Sequence, residues 1–115
     1  MATVKVQLRS VTGTEAAAGW AGGHSIMVDR PEGKAGGAGL GFNGGQLLAL
    51  SIGGCLCNDI RYASHAMGVS VDEIEVDVSL SLEGDPLLAT AAEVDIRDAS
   101  TASNEDIASL LDRAK

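Results

Sequence analysis

Eleven consecutive residues in the middle of this chain, Leu47 to Cys57 (LLALSIGGCLC), carry no charged side chain. Wound into a helix, such a run is apolar on every face and has to be covered all round. A bilayer is not the cover, because a span needs about 18–20 apolar residues. The run therefore predicts a helix over Gln46 to Met67 whose first half is buried in a protein core. Its second half, NDIRYASHAM, turns amphipathic: Leu56, Ile60, Ala63 and Met67 share a stripe, while Asp59, Arg61 and Ser64 fall on other faces. Gly68 suits the left-handed stop that ends a helix. Within the helix, Gly53 and Gly54 cost about 1 kcal/mol each relative to alanine, so the pair predicts a close neighbour against the helix backbone.

The flanking segments read as strands. Val4, Val6 and Leu8 alternate with Lys5, Gln7 and Arg9, the pattern of a half-buried strand. Thr12-Gly13-Thr14 signals a turn, and a further extended stretch from about Ala17 to Asp29 suggests an N-terminal hairpin or meander, broken at Arg30-Pro31-Glu32-Gly33. After the helix, Ile74, Val76, Val78, Leu80 and Leu82 alternate with Glu75, Asp77, Ser79 and Ser81, the clearest period-two run in the chain. Gly84-Asp85-Pro86 turns it, and Leu88 to Ile96 reads as its hairpin partner. Ser103 to Asp106 carries N-cap chemistry before Ile107, Leu110, Leu111 and Ala114 at helical spacing, which predicts a second helix cut short at Lys115. The expected class is α+β: antiparallel sheets from an N-terminal and a central hairpin around a buried central helix, in one domain over residues 1–115.

Charge narrows the partners. With 16 acids against 8 bases the net charge is −8 and no Lys/Arg run interrupts it, so nucleic acid is not expected. The N-terminus MATVKVQLRS lacks the apolar core of a signal peptide, and a cytoplasmic location is expected by default. Cys55 and Cys57 point about 200° apart on a helix, which disfavours a bridge between them.

Three motifs bear on chemistry. The glycine-dense segment Gly36 to Gly45 contains G-x-G-x-x-G as Gly39, Gly41 and Gly44. A dinucleotide fingerprint directly follows a parallel strand, whereas here the strand ends some ten residues earlier, so a tight loop feeding the helix is favoured and no cofactor is expected. Cys55, Cys57, His24 and His65 lack the paired spacing of a zinc site, and no metal is expected; His65 reads as a surface residue near its helix end. That leaves Cys55. A buried cysteine is ordinarily a small hydrophobe, and it becomes a nucleophile only when a cation or a helix N-terminus favours the thiolate. Cys55 lies too deep in the helix for the dipole to act strongly, so an arginine from elsewhere would have to serve it.

The stretch GFNGGQLLALSIGGCLC resembles the signature of the OsmC-like and organic hydroperoxide resistance family, with Asn43, Gln46 and Cys55 at matching spacing. IMVDRPEGKAGG upstream and AMGVSVDEIEVDVSLSLEGD downstream are also similar, so the resemblance runs from about Ile26 to Arg113. It implies an intertwined homodimer in which two central helices pack between sheets, with sites at the subunit interface. It also implies reduction of organic hydroperoxides by a reactive cysteine, with an arginine holding the thiolate and a glutamate holding the arginine. Carried onto this chain, the resemblance makes Cys55 the reactive residue and Arg30 the thiolate-stabilising cation, with Arg9 as the alternative. Three departures stand out. Gly45 occupies the glutamate's place, the family's early-hairpin arginine falls near Thr14, and no second cysteine lies in the expected C-terminal helix where the family's resolving residue sits; either it lies beyond Lys115 or this member lacks it, and an external thiol is expected to complete the cycle. The competing reading is an inactive OsmC-fold dimer that binds a small apolar molecule or acts as a scaffold.

Overall fold

The structure, a computed structural model, describes residues 2–83 and 88–99. It is α+β, with a three-stranded sheet β1-β2-β3 and a two-stranded sheet β4-β5, both antiparallel, and one long helix between them in sequence. The chain divides into two compact units, Met1–Leu47 and Leu48–Lys115.

The first unit is a meander: β1 Gln7–Ser10, β2 Ala17–Ala21 and β3 His24–Val28. The Thr12-Gly13-Thr14 turn forms as expected, with Gly13 at φ 84° and the Thr14 amide and hydroxyl both donating to Val11 O. The long extended stretch is two strands, folded back at Gly22-Gly23 with Gly22 at φ 60°. The expected first strand is shorter than its alternation. Residues 2–6 are not strand, and Val4, Val6 and Leu8 are 86%, 62% and 55% exposed, so the alternation marks a face that this unit leaves uncovered.

The glycine-dense loop returns onto β3. Phe42 N donates to Met27 O, Asp29 N donates to Phe42 O, and Val28 and Phe42 form an isolated parallel bridge. This needs Gly41, where a side chain would overlap the carbonyl group of Met27. Asp29 fastens the rest of the loop. Its buried carboxylate accepts hydrogen bonds from the Arg30, Ala38 and Leu40 amides at 2.8, 3.0 and 3.1 Å. The Leu40 amide is the strongest influence holding its carboxyl below the usual value of 3.8; burial opposes this, and the Ala38 and Arg30 contacts add to it. A carboxylate with a lowered folded pKa stabilises the fold above its unfolded pKa and loses that contribution as pH falls through the folded value. Acid titration below pH 3.8 should therefore loosen this loop, and Asp29→Asn should remove that part of the acid dependence in amide exchange at Ala38 and Leu40.

The helix α1 spans Gly44–Met67. Asn43 and Gln46 form a reciprocal capping box: the Gln46 amide donates to Asn43 Oδ1 at 2.9 Å and the Asn43 amide to Gln46 Oε1 at 3.0 Å. Two residues of the cysteine signature thus start the helix. Asn43→Ala should cost about 1 kcal/mol in chemical denaturation, and Asn43→Ser should restore most of it. At the other end, Gly68 at φ 68° donates to His65 O while Val69 donates to Ser64 O, the paired bonds of a Schellman stop.

In the second unit β4 Glu73–Glu83 pairs with β5 Leu88–Ala99, with a bulge at Ser81/Leu82. The expected turn at Gly84 to Pro86 and the second helix over 103–114 lie outside the described residues. The inward face of β4 meets the helix at Gly53, where an added Cβ would stand 3.2 Å from Val78 Cγ2 and 3.6 Å from Val76 Cγ1. On the other face, Arg97 bonds Glu75, Asp77 and Asp95 at 2.9, 2.5 and 3.3 Å, offsetting the repulsion of the directly opposed Asp77 and Asp95.

Within this unit the cover of the helix is incomplete. The first half of α1 is not covered all round: Leu48 and Leu50 are 44% and 51% exposed and Cys55 is exposed, while the buried helix residues are Ile60, Ala63 and Ser64. A single hairpin covers one side of a cylinder, so the remaining apolar residues have no cover within the unit. Close packing is met at Gly53 only, for nothing comes within 4 Å of a Cβ at Gly54.

Candidate active site

Side chains advance about 100° per residue around a helix, so Cys55 stands about 200° from Gly53, on the face turned away from β4. Its neighbours one and two turns away on that face are Leu48, Ser51, Asp59 and Tyr62, all exposed. Cys57, two residues on, is half-buried, and both thiols are free. A peroxide-sized molecule can therefore reach Cys55 more readily than Cys57.

Cys55 is the twelfth residue of α1, beyond the first turn in which the helix dipole acts. A cation to favour its thiolate must come from a side chain. Among the described arginines, Arg97 is held by three carboxylates, and Arg61 donates to the carbonyls of Val71 and Asp72. Arg30 donates from Nη2 to Glu15 O at 2.6 Å and lies 3.5 Å from Asp29, with its Nε buried and unbonded. The side chain of Arg9, in β1, has neither a hydrogen bond nor an ion pair among the described residues. Arg30 belongs to the first unit and Cys55 to the second.

The remaining motifs have local explanations. Gly39, at φ 66°, and Gly41 serve the fold of the loop on β3. His24 begins β3, and His65 is exposed in the last turn of α1, as expected of a surface residue. Among the described residues no group of three or more His, Cys, Asp and Glu side chains gathers to hold a metal, and no helix is long and apolar enough to cross a membrane.

The model of the OsmC-like protein family matches residues 36–115, which contain the whole of α1 and the β4-β5 hairpin. The chain belongs to the OsmC-like family. No curated protein sequence matches it significantly. Among solved structures it is similar to an OsmC-like protein from Mycoplasma pneumoniae, with TM-score 0.80 and 14% identity, covering 98% of this chain and 80% of that one. It is also similar to an organic hydroperoxide resistance protein from Legionella pneumophila, with TM-score 0.64, 19% identity and coverage of 99% and 82%. A third is the organic hydroperoxide resistance protein OhrB of Bacillus subtilis, with TM-score 0.59, 23% identity and coverage of 97% and 82%. At these identities the likenesses concern the OsmC fold, and the chemistry has to be argued from Cys55 and its surroundings.

Proposed function

We propose that this OsmC-like protein is a thiol-dependent peroxidase that reduces organic hydroperoxides, with Cys55 as the nucleophile. The observation that carries the reading is an exposed cysteine on the uncovered face of the family's central helix. The Cys55 thiolate attacks the terminal oxygen of the hydroperoxide. The S–O bond forms as the O–O bond breaks, and the departing alkoxide takes a proton to leave as the alcohol. An external thiol then condenses with the sulfenic acid, releasing water, and a second thiol frees Cys55 by exchange. The cation beside the thiolate is an arginine: Arg30, or Arg9, whose lack of a described partner favours it as the second candidate.

The working unit is a homodimer in a reducing cytoplasm. The exposed Leu48, Leu50 and Tyr62 of α1 support a cover supplied by a second copy. A second reading is favoured by one observation. The N-terminal sheet carries an apolar groove of about 410 Å³ lined by residues including Leu8, Trp20, Ile26 and Val28, which would suit a dimer that binds a small apolar molecule without turnover.

Consumption of cumene hydroperoxide with excess dithiothreitol separates the two. A rate well above the protein-free control is expected. A rate equal to that control removes the peroxidase reading and leaves the binding protein.

A further inference from the structure

We propose that the depression between Asn58, Arg61, Tyr62 and His65 is a carboxylate subsite, which selects a small carboxylate-bearing thiol as the reaction partner of Cys55. The proposal rests on the reading of Cys55 as a thiol that passes through an oxidised state. The depression has a volume of about 400 Å³, and those four side chains line it. In a chain with 16 acids against 8 bases, none of the four is a carboxylate. Arg61 is fixed by its bonds to two carbonyls, that of Val71 and, at 3.3 Å, that of Asp72. Two of its five N–H donors are engaged there, and the others remain for a ligand. Among the described residues the side chains of Asn58, Tyr62 and His65 have no hydrogen bond or ion pair. Each can donate, from an amide, a hydroxyl and an imidazole that keeps at least one N–H in either charge state. A held guanidinium among unengaged donors matches a carboxylate.

Nearby negative charge limits what the depression can hold. Asp59 lies in a separate depression with Tyr62, Ala63 and Ala66, and Asp72 lines a neighbouring one that shares Arg61 and His65. His65 also stands in the last turn of α1, at the negative end of the helix dipole. One guanidinium against these charges suits a monoanion better than a dianionic phosphate. The helix itself links the subsite to Cys55. Cys55, Asn58 and Arg61 follow in steps of three, a spacing that sets Cβ atoms roughly 5–6 Å apart, and all belong to the second unit. Cys55 and Asn58 are exposed, so a small thiol can bring its sulfur to Cys55 and lay its carboxylate across Asn58 toward Arg61. With Cys55 as the sulfenic acid, the thiol sulfur attacks the Cys55 sulfur. The S–S bond forms as the S–O bond breaks, and the oxygen leaves as water with the thiol's proton. A second such thiol attacks the bound one's sulfur, releasing their disulfide and restoring the Cys55 thiol.

The test compares two disulfide probes on the reduced protein in a Cys57→Ser background, so that only Cys55 reacts. One is 5,5′-dithiobis(2-nitrobenzoate), which carries carboxylates, and the other is 2,2′-dithiodipyridine, which is neutral. The ratio of their rates cancels any change in the reactivity of Cys55 itself. Arg61→Gln should lower the anionic-to-neutral ratio about tenfold and His65→Gln about threefold. Arg97→Gln, which removes the same charge from the far face of the β4-β5 hairpin, should leave it unchanged. His65→Gln keeps the Arg61 bonds to Val71 and Asp72, so it decides the matter if Arg61→Gln fails to fold. An unchanged ratio in His65→Gln overturns the proposal, and so does an equal fall in Arg97→Gln. Hydroperoxide turnover is measured separately. A wild type whose ratios behave as expected yet which consumes no cumene hydroperoxide refutes the peroxidase reading and leaves the carboxylate subsite supported.

Discussion

Cys55→Ser should abolish thiol-dependent consumption of organic hydroperoxide while leaving the fold intact, and Cys57→Ser should retain turnover. A serine hydroxyl is a poor nucleophile without an adjacent base, and it forms no sulfenic acid, so no residual cycle is available. The structural cost separates the two sites in the opposite sense. Cys55 is exposed within its unit, so a substitution there should change the stability of that unit by no more than about 0.5 kcal/mol. Cys57 is half-buried, so placing a hydroxyl there should cost up to about 1 kcal/mol while sparing the chemistry. Urea denaturation beside a hydroperoxide assay reads both effects on the same samples. Loss of turnover in Cys57→Ser with Cys55→Ser still active would exchange the assignments of the two thiols.

The local devices of this fold were legible because each is written in a few adjacent residues. Gly68 ends the helix as its missing side chain predicts, and the alternation from Ile74 to Leu82 yields a strand with the expected hairpin partner. Asn43 and Gln46 were visible only as parts of a family signature; their spacing of three, N-cap to N3, is also that of a capping box. What periodicity does not state is who provides the cover. The run Leu47 to Cys57 and the alternation Val4 to Leu8 both mark apolar faces, yet Leu48, Val4 and Val6 are exposed within their units. The glycine pair shows the same limit at finer scale. Gly53 meets Val78, whereas Gly54, one residue and 100° on, faces open space. The candidate site suffers most, since an arginine's partner is set by long-range packing. The family resemblance leaves Arg9 and Arg30 both open as the cation, and the bonds of Arg30 to Glu15 O and Asp29 are a fact of the folded loop.

Gly41→Ala should be the most damaging single-methyl change in the N-terminal unit, costing about 3 kcal/mol. The added Cβ would overlap the carbonyl carbon and oxygen of Met27 and lie 2.7 Å from its Cβ. Main chain cannot rotate aside as a flexible side chain can, so relief requires the loop to lift from β3. Lifting breaks the Phe42 N–H bond to Met27 O and the Asp29 N–H bond to Phe42 O, both 3.0 Å. It also draws Leu40 and Ala38 away from the Asp29 carboxylate, leaving a buried anion with fewer donors. Gly44→Ala is the matched control. It lies three residues on, at the start of α1, with nothing within 4 Å of an added Cβ, and it should be neutral or stabilising by up to about 1 kcal/mol. The two together test whether these motif glycines serve backbone packing, for a phosphate-cradling loop would lose ligand binding at both positions and stability at neither. Urea midpoints of the two variants decide it: a large fall for Gly41→Ala with none for Gly44→Ala is the expected result, and equal midpoints would mean that the loop does not rest on Met27.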